Sequence, residues 1–271
     1  MIQRWVTQLS RSDRARRFVK KIGLVRLANF GLGLFPLIKV LPGSGVKYRM
    51  AKLESIPLSQ EMFSQQNLYE ADSLPQRLET FADLGCNVGY FTCWLTHVRG
   101  GKPMQGLMVD ANPEAVKEAQ WHARANGWRD VAVIQGLVGE IDANEQKDFY
   151  IYESNVCSAN QPLVQEELGL KGKWDKIKVG GISVEEVWKK QFGESRCHLL
   201  KLDVEGSELN FLQKETQFLQ RVDALWIEWH TWAISFKVLC DILEKAGFSY
   251  VKTFNETNLM GTAYFIRVNL N

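Results

Sequence analysis

Apolar and polar positions change period along this chain, and the change divides it. From Glu79 onward, short apolar runs of strand length alternate with stretches whose apolar residues recur every three or four positions. Thr80–Leu84 predicts a first strand and residues 88–98 a helix, closed by Arg99, Gly100 and Gly101. Residues 106–110 predict a second strand. The helix after it is well signalled, with Asn112 at the N-cap, Pro113 at the first position and Gly127 just past the end. Val131–Gln135 reads as the third strand. Residues 148–195 are less regular, with a strand expected near 149–152 and a helix near 184–190. Residues 198–204 read as the fourth strand, followed by a helix from about Ser207. Residues 224–229 read as the fifth, followed by a helix over 234–246 that Gly247 ends. The last two strands, 249–254 and 262–268, have no helix between them and are expected to pair antiparallel. Such alternation, ending in a hairpin, predicts an α/β fold with a mostly parallel sheet covered on both faces.

The chain before Glu79 has a different character. Its first 45 residues carry a basic segment (Arg11 to Lys21), then a largely apolar stretch, and end in the Leu41-Pro42-Gly43-Ser44-Gly45 cluster. That cluster predicts a turn and a boundary between residues 1–45 and a domain over 46–271. Residues 46–76, with Tyr48, Arg49, Phe63 and Tyr69, are expected to cover the domain that follows.

Composition adds limits. The 271 residues suffice for one sizeable α/β domain with an appendage, and 45% hydrophobic with 24% charged residues is ordinary for a soluble globular protein. The net charge of +2 hides an asymmetry. Residues 1–50 hold eleven Lys or Arg and a single acid, Asp13, whereas the remainder has 22 bases against 30 acids. Five scattered cysteines with no paired metal-ligand spacing read as free thiols in a reducing cytosol. The longest largely apolar stretch, 27–38, is too short to span a bilayer, and Gly31, Gly33 and Pro36 interrupt it. Residues 11–38 could lie on an anionic membrane surface or pack as a lid. No aromatic-interleaved motif favours nucleic acid.

The chemistry gathers at the predicted strand ends, where ligands of open α/β sheets sit. Residues 81–91 run Phe-Ala-Asp-Leu-Gly-Cys-Asn-Val-Gly-Tyr-Phe: a strand ending in Asp83, then a turn through Gly85, Asn87 and Gly89. The glycines allow close backbone approach to a ligand. A carboxylate at this turn suits a ligand with cationic groups, such as S-adenosylmethionine, better than a pyrophosphate. The turn also lacks the Gly-x-Gly-x-x-Gly spacing of dinucleotide sites. Asp110 ends the second strand, where an acid can accept both hydroxyls of a ribose; this position alone fits NAD or S-adenosylmethionine equally. Phe91, Ala111, Asn112 and Gly136 border these strand ends and are expected to line the same cofactor site.

The run Lys201-Leu202-Asp203-Val204-Glu205-Gly206-Ser207-Glu208 packs three carboxylates and a lysine into eight residues. Such density is costly unless the charges pair or bind a ligand. Lys201, Asp203 and Glu205 share a face if the strand stays regular. Asp203 could hold an acceptor hydroxyl or take its proton, and Glu205 could orient donor or acceptor. Glu208 suits a helix N-terminus. At the fifth strand's end Glu228 and His230 share a face, and His230 is the natural general base near neutral pH. A divalent ion on Asp203 and Glu228 is conceivable, but the spacing demands none.

These runs together resemble the FkbM family of S-adenosylmethionine-dependent methyltransferases. The resemblance rests on residues 81–91, Val109-Asp110-Ala111-Asn112-Pro113-Glu114, the Lys201 to Glu208 run, and Ile227-Glu228-Trp229-His230, and covers about residues 45–268. It implies a Rossmann-like class I methyltransferase fold. It also implies transfer to a hydroxyl oxygen of a sugar, glycolipid or secondary metabolite. Under it Asp83, Gly85, Asn87, Gly89 and Asp110 contact the methyl donor, while Asp203 and Glu205 face the reacting centre. Residues 148–195 and the first 45 residues match least, and these would shape the acceptor pocket. Two rival readings stand beside it: an RNA- or protein-directed methyltransferase reached through the basic N-terminus, and a non-catalytic binding module of the same fold.

Overall fold

The computed structural model describes residues 24–64, 70–139, 142–143, 145–152, 158–159 and 174–268. The basic segment at 11–21, Tyr69 and the middle of the irregular 148–195 region lie outside the described residues. In chain order the elements are α1 (Leu24–Leu34), β1 (Leu37–Val40), β2 (Lys47–Met50), α2 (Ser55–Phe63), β3 (Thr80–Leu84), α3 (Tyr90–Val98), β4 (Gln105–Asp110), α4 (Pro113–Ala125), β5 (Val131–Gln135) and β6 (Leu137–Val138). There follow β7 (Gln146–Tyr152), β8 (Ser158–Ala159), β9 (Trp174–Ile182), α5 (Val184–Phe192), β10 (Leu199–Leu202), α6 (Glu208–Lys214), α7 (Thr216–Leu219), β11 (Ala224–His230), α8 (Phe236–Lys245), β12 (Phe248–Glu256) and β13 (Met260–Arg267).

Seven strands form the central sheet in the order β12-β13-β11-β10-β3-β4-β5. All run parallel except β13, which inserts antiparallel between β11 and β12. This is the Rossmann-like methyltransferase fold, and the expected terminal antiparallel pair is β12 with β13. The order reverses between β3 and β10, so a crevice opens at their carboxyl ends.

Side-chain alternation decides what each sheet face receives. Ala82, Leu84, Leu107, Val109, Leu200, Leu202, Leu225 and Ile227 point into one core with Trp188, Phe211, Phe218 and Leu239 of the helices α5–α8. Phe81, Met108, Leu199 and Trp226 point the other way, toward Phe91, Trp94 and Leu95 of α3. Trp226 there meets the rings of Phe91, Trp94 and Tyr264 at 5.5–6.0 Å, contacts worth about 0.5–1.5 kcal/mol each beyond area burial. Near the strand ends that second face turns polar, because Asp83, Lys201, Glu228 and His230 continue its alternation.

The Leu41–Gly45 cluster forms the turn of the β1–β2 hairpin, with Val40 paired to Lys47. The hairpin is docked on α4: His122 Nε2 accepts from the Arg49 backbone N–H (3.0 Å), and the Arg49 guanidinium bridges to Glu118 (2.7 Å). The fourth strand ends at Leu202, so Glu205 does not continue the face of Lys201 and Asp203. It sits in the following turn with φ of 49°. Finally, β9 pairs with β6 and β7 in a second small sheet. The Gly180-Gly181 pair inside β9 disguises it as a turn in the sequence.

Candidate active site

The turn after β3 is held by backbone bonds. Gly85 and Cys86 both donate N–H bonds to Val109 O (2.9 Å each), tying the turn to the end of β4. Gly85 has φ of 74°, and a Cβ there would lie 1.6 Å from the Asp203 carbonyl oxygen. Only glycine lets the turns after β3 and β10 approach so closely. Asn87 adopts φ of 49°, a left-handed conformation that Asn tolerates better than most residues. Its N–H donates to Asp110 Oδ2 (2.7 Å), while Asn112 N–H donates to Asp110 Oδ1 (2.8 Å). Burial raises the Asp110 pKa to about 6, against the pull of these two amides.

Lys201 is the hub between the central strands. Its Nζ donates to Gly85 O (2.7 Å) and lies 3.2 Å from Asp203 and 3.6 Å from Asp83. Asp83 is fully buried, accepts from Thr92 Oγ1 (2.8 Å), and lines neither cavity of the site. Sequence reasoning gave Asp83 a direct donor contact; the structure places its carboxyl group beside Lys201, behind the wall, where burial raises its pKa. Gly89 also lies behind the wall, packed where a Cβ would meet Met108 and Ala119.

His230 is buried, and its Nδ1 lies 2.8 Å from Glu208 Oε1. Gly206 N–H donates to that same oxygen (3.0 Å), so the oxygen is an acceptor and Nδ1 carries the hydrogen. Nε2 points at Glu205 (3.4 Å) and Glu228 (3.7 Å). Burial works against the charged ring, but Glu208, Glu205 and Asp203 outweigh it and raise the His230 pKa well above its usual value. That direction disfavours the general-base role read from the sequence, which needs a neutral ring. Burial, followed by the charge of Asp203, pushes both Glu205 and Glu228 above the ordinary carboxylate range. Asp203 Oδ1 is buried with no hydrogen-bond partner among the described residues. Ligand atoms of Asp203, Glu228 and His230 lie within 4.8 Å of one another, close enough to share a cation.

Two cavities meet at these residues. One, of about 670 Å³ including its mouth, is lined by Gly85, Asn87, Asp110, Ala111, Asn112, Gly136, Phe149 and Ser207 among others. The other, of about 1130 Å³, is lined by Leu58, Glu61 and Met62 of α2, with Phe91, Glu228, His230, Trp232 and Met260. Gly85, Asn87, Asp203 and Glu205 belong to both. The structure thus brings together every candidate site residue except Asp83 and Gly89. It also adds some that the sequence reading missed. Glu208 and Lys201 could have been found by asking what satisfies buried charges in the 201–208 run. The α2 side chains carried no signal, since nothing local ties residues 58–62 to strand ends far along the chain. Phe149 of the irregular segment lines the first cavity, on the Asp110 side. Trp226 and Trp229 are core residues; of the three neighbouring tryptophans, Trp232 reaches the cavity wall.

No curated protein sequence matches this chain closely enough to serve as a relative. Among solved structures, a SAM-dependent methyltransferase from Aquifex aeolicus is similar at 15% identity over 78% of this chain and 94% of that one, with a TM-score of 0.41. TYW2 of M. jannaschii, solved with AdoMet, is similar at 14% identity over 86% of this chain and 87% of that one, with a TM-score of 0.40. The family model of the methyltransferase FkbM domain matches residues 83–250, from the end of β3 to the start of β12. That span holds the buried Asp83, the Asp110 cavity and the 203–230 acids, and the chain belongs to the FkbM methyltransferase family.

Proposed function

We propose that this chain moves a methyl group from S-adenosylmethionine to a hydroxyl oxygen of a sugar, glycolipid or related metabolite. The observation that carries the reading is the pair of cavities sharing Asp203 and Glu205 at one wall. The residues fit the donor. The Asp110 cavity opens at the carboxyl ends of the parallel strands, where ligands of such sheets sit. The Asp110 carboxylate keeps lone pairs for ribose hydroxyls beyond its two backbone bonds.

When bound, the donor supplies a methyl already activated on a sulfonium, so the C–S electron pair stays with sulfur as the new C–O bond forms. The protein's work is alignment and proton removal. Asp203, at the junction, takes the acceptor's hydroxyl proton on its unpartnered Oδ1, while Lys201 holds its other oxygen. Glu205 and Glu228 orient the acceptor hydroxyls.

Calorimetry with S-adenosylhomocysteine, followed by labelled-methyl transfer to a panel of hydroxylated acceptors, tests the reading. Absence of S-adenosylhomocysteine binding would sink it. Transfer to nitrogen acceptors alone would correct the hydroxyl assignment.

A further inference from the structure

Residues 24–40 carry an exposed apolar surface that the catalytic reading leaves unused. Leu27, Phe30 and Leu34 recur at three- and four-residue spacing, so they stack on one face of α1, and they are 66%, 66% and 59% exposed. Phe35, at the end of the helix, is 80% exposed. Leu37, Ile38 and Val40 of β1 extend the surface, in a strand that among the described residues pairs with β2 alone. The opposite face of α1 is fixed to the domain. Asn29 Oδ1 accepts from Leu53 N–H (2.8 Å), and its Nδ2 donates to the Glu54 carboxylate (3.3 Å). The apolar stripe is thus held outward by the helix's own attachment, and stretches of this kind mark interaction sites.

Charge selects the partner. Within 24–40 the charged residues are Arg26 and Lys39, both basic, and Arg14, Arg16, Arg17, Lys20 and Lys21 lie just before them in the sequence. A second copy of the chain would bring the same cations against themselves. A nucleic acid would use the cations and leave the apolar stripe in water. An anionic lipid surface satisfies both halves, with headgroups for the cations and acyl boundary for the stripe. No helix among the described residues is long and apolar enough to cross a membrane, so the contact is a surface one.

We infer that α1 and β1 dock on an anionic lipid surface, with Leu27, Phe30, Leu34 and Phe35 entering the headgroup–acyl boundary. The attachment points Leu53 and Glu54 directly precede α2, whose Leu58, Glu61 and Met62 line the second cavity. Docking therefore sets that cavity beside the membrane. If the methyl-transfer reading holds, the acceptor hydroxyl is one carried at the lipid interface. That consequence rests on the proposed function, whereas the docking does not.

The test is co-sedimentation of the full chain with vesicles of phosphatidylcholine, with and without phosphatidylserine. Binding to the phosphatidylserine vesicles, weakened by salt, is expected. Phe30→Asp with Phe35→Asp should weaken it by about tenfold per residue, while the Phe30→Leu, Phe35→Leu pair stays within a few-fold. Circular dichroism verifies that each variant is folded, and Leu34→Asp serves if the double change is not. A wild-type chain left in the supernatant, or aspartate variants that bind unchanged, would overturn the inference. So would a dimer that the aspartate variants split, or salt-sensitive RNA binding without vesicle binding. S-adenosylhomocysteine affinity, measured separately, reports on the methyl-transfer reading alone.

Discussion

The two halves of the site are built by different means. The Asp110 half is made largely of backbone: the Gly85 turn, the amides of Asn87 and Asn112, and one carboxylate already accepting both. The Asp203 half is made of side chains: three carboxyl groups and an imidazole from two strand ends, facing side chains of α2. Backbone geometry tolerates little change and serves any adenosine-bearing donor. Side-chain chemistry can vary with the acceptor while the sheet stays as it is. Under the proposed function, the first half sets what is donated, and the second what receives it.

The largest expected effect separates the halves. Asp203→Asn should lower turnover by about 10²–10⁴-fold while S-adenosylhomocysteine affinity, read by calorimetry, stays within a few-fold. Equal loss of both would erase the division between them. Gly85→Ala strikes the seam, because its Cβ would collide with the Asp203 carbonyl at an already left-handed φ. Strain of about 3 kcal/mol, or a hundredfold weaker donor binding together with a lower Tm, is the expected result.

Asp110→Asn should cost about tenfold in donor affinity and leave turnover at saturating donor unchanged. The same group sets a pH dependence. Its pKa is raised from the model-peptide range to about 6, so the unliganded fold favours the protonated form and the ribose-accepting anion prevails above that value. Donor affinity should be flat above neutral pH and fall as pH drops through about 6, and Asp110→Asn should flatten the profile. Affinity that rises on acidification would exclude Asp110 from the donor contact. The smallest effect tests the contact between Glu208 and His230. Glu208→Gln should lower the His230 pKa, followed by NMR titration, and reduce turnover only a few-fold.

Much of the sheet was legible because each strand and helix carries its own period. Thr80–Leu84 and Val131–Gln135 stand where the pattern puts them, and α4 begins at Asn112 because the cap side chain accepts from Glu114 N–H (3.0 Å). β9 escaped notice because its pairing with β6 and β7 overrides the turn signal of two adjacent glycines. Glu205 was misplaced on a strand face because strand length depends on the neighbours available for pairing, and β10 ends with Leu202.

The sequence alone determined the alternation of strands and helices, the Gly85–Gly89 turn and the run of acids after β10, since each depends on residues close in the chain. Tertiary structure alone decided that Asp83 is buried beside Lys201, that His230 meets Glu208, and that α2 lines the second cavity. These are matters of burial and proximity. Both depend on groups brought within a few ångströms from distant parts of the chain, and local pattern records neither.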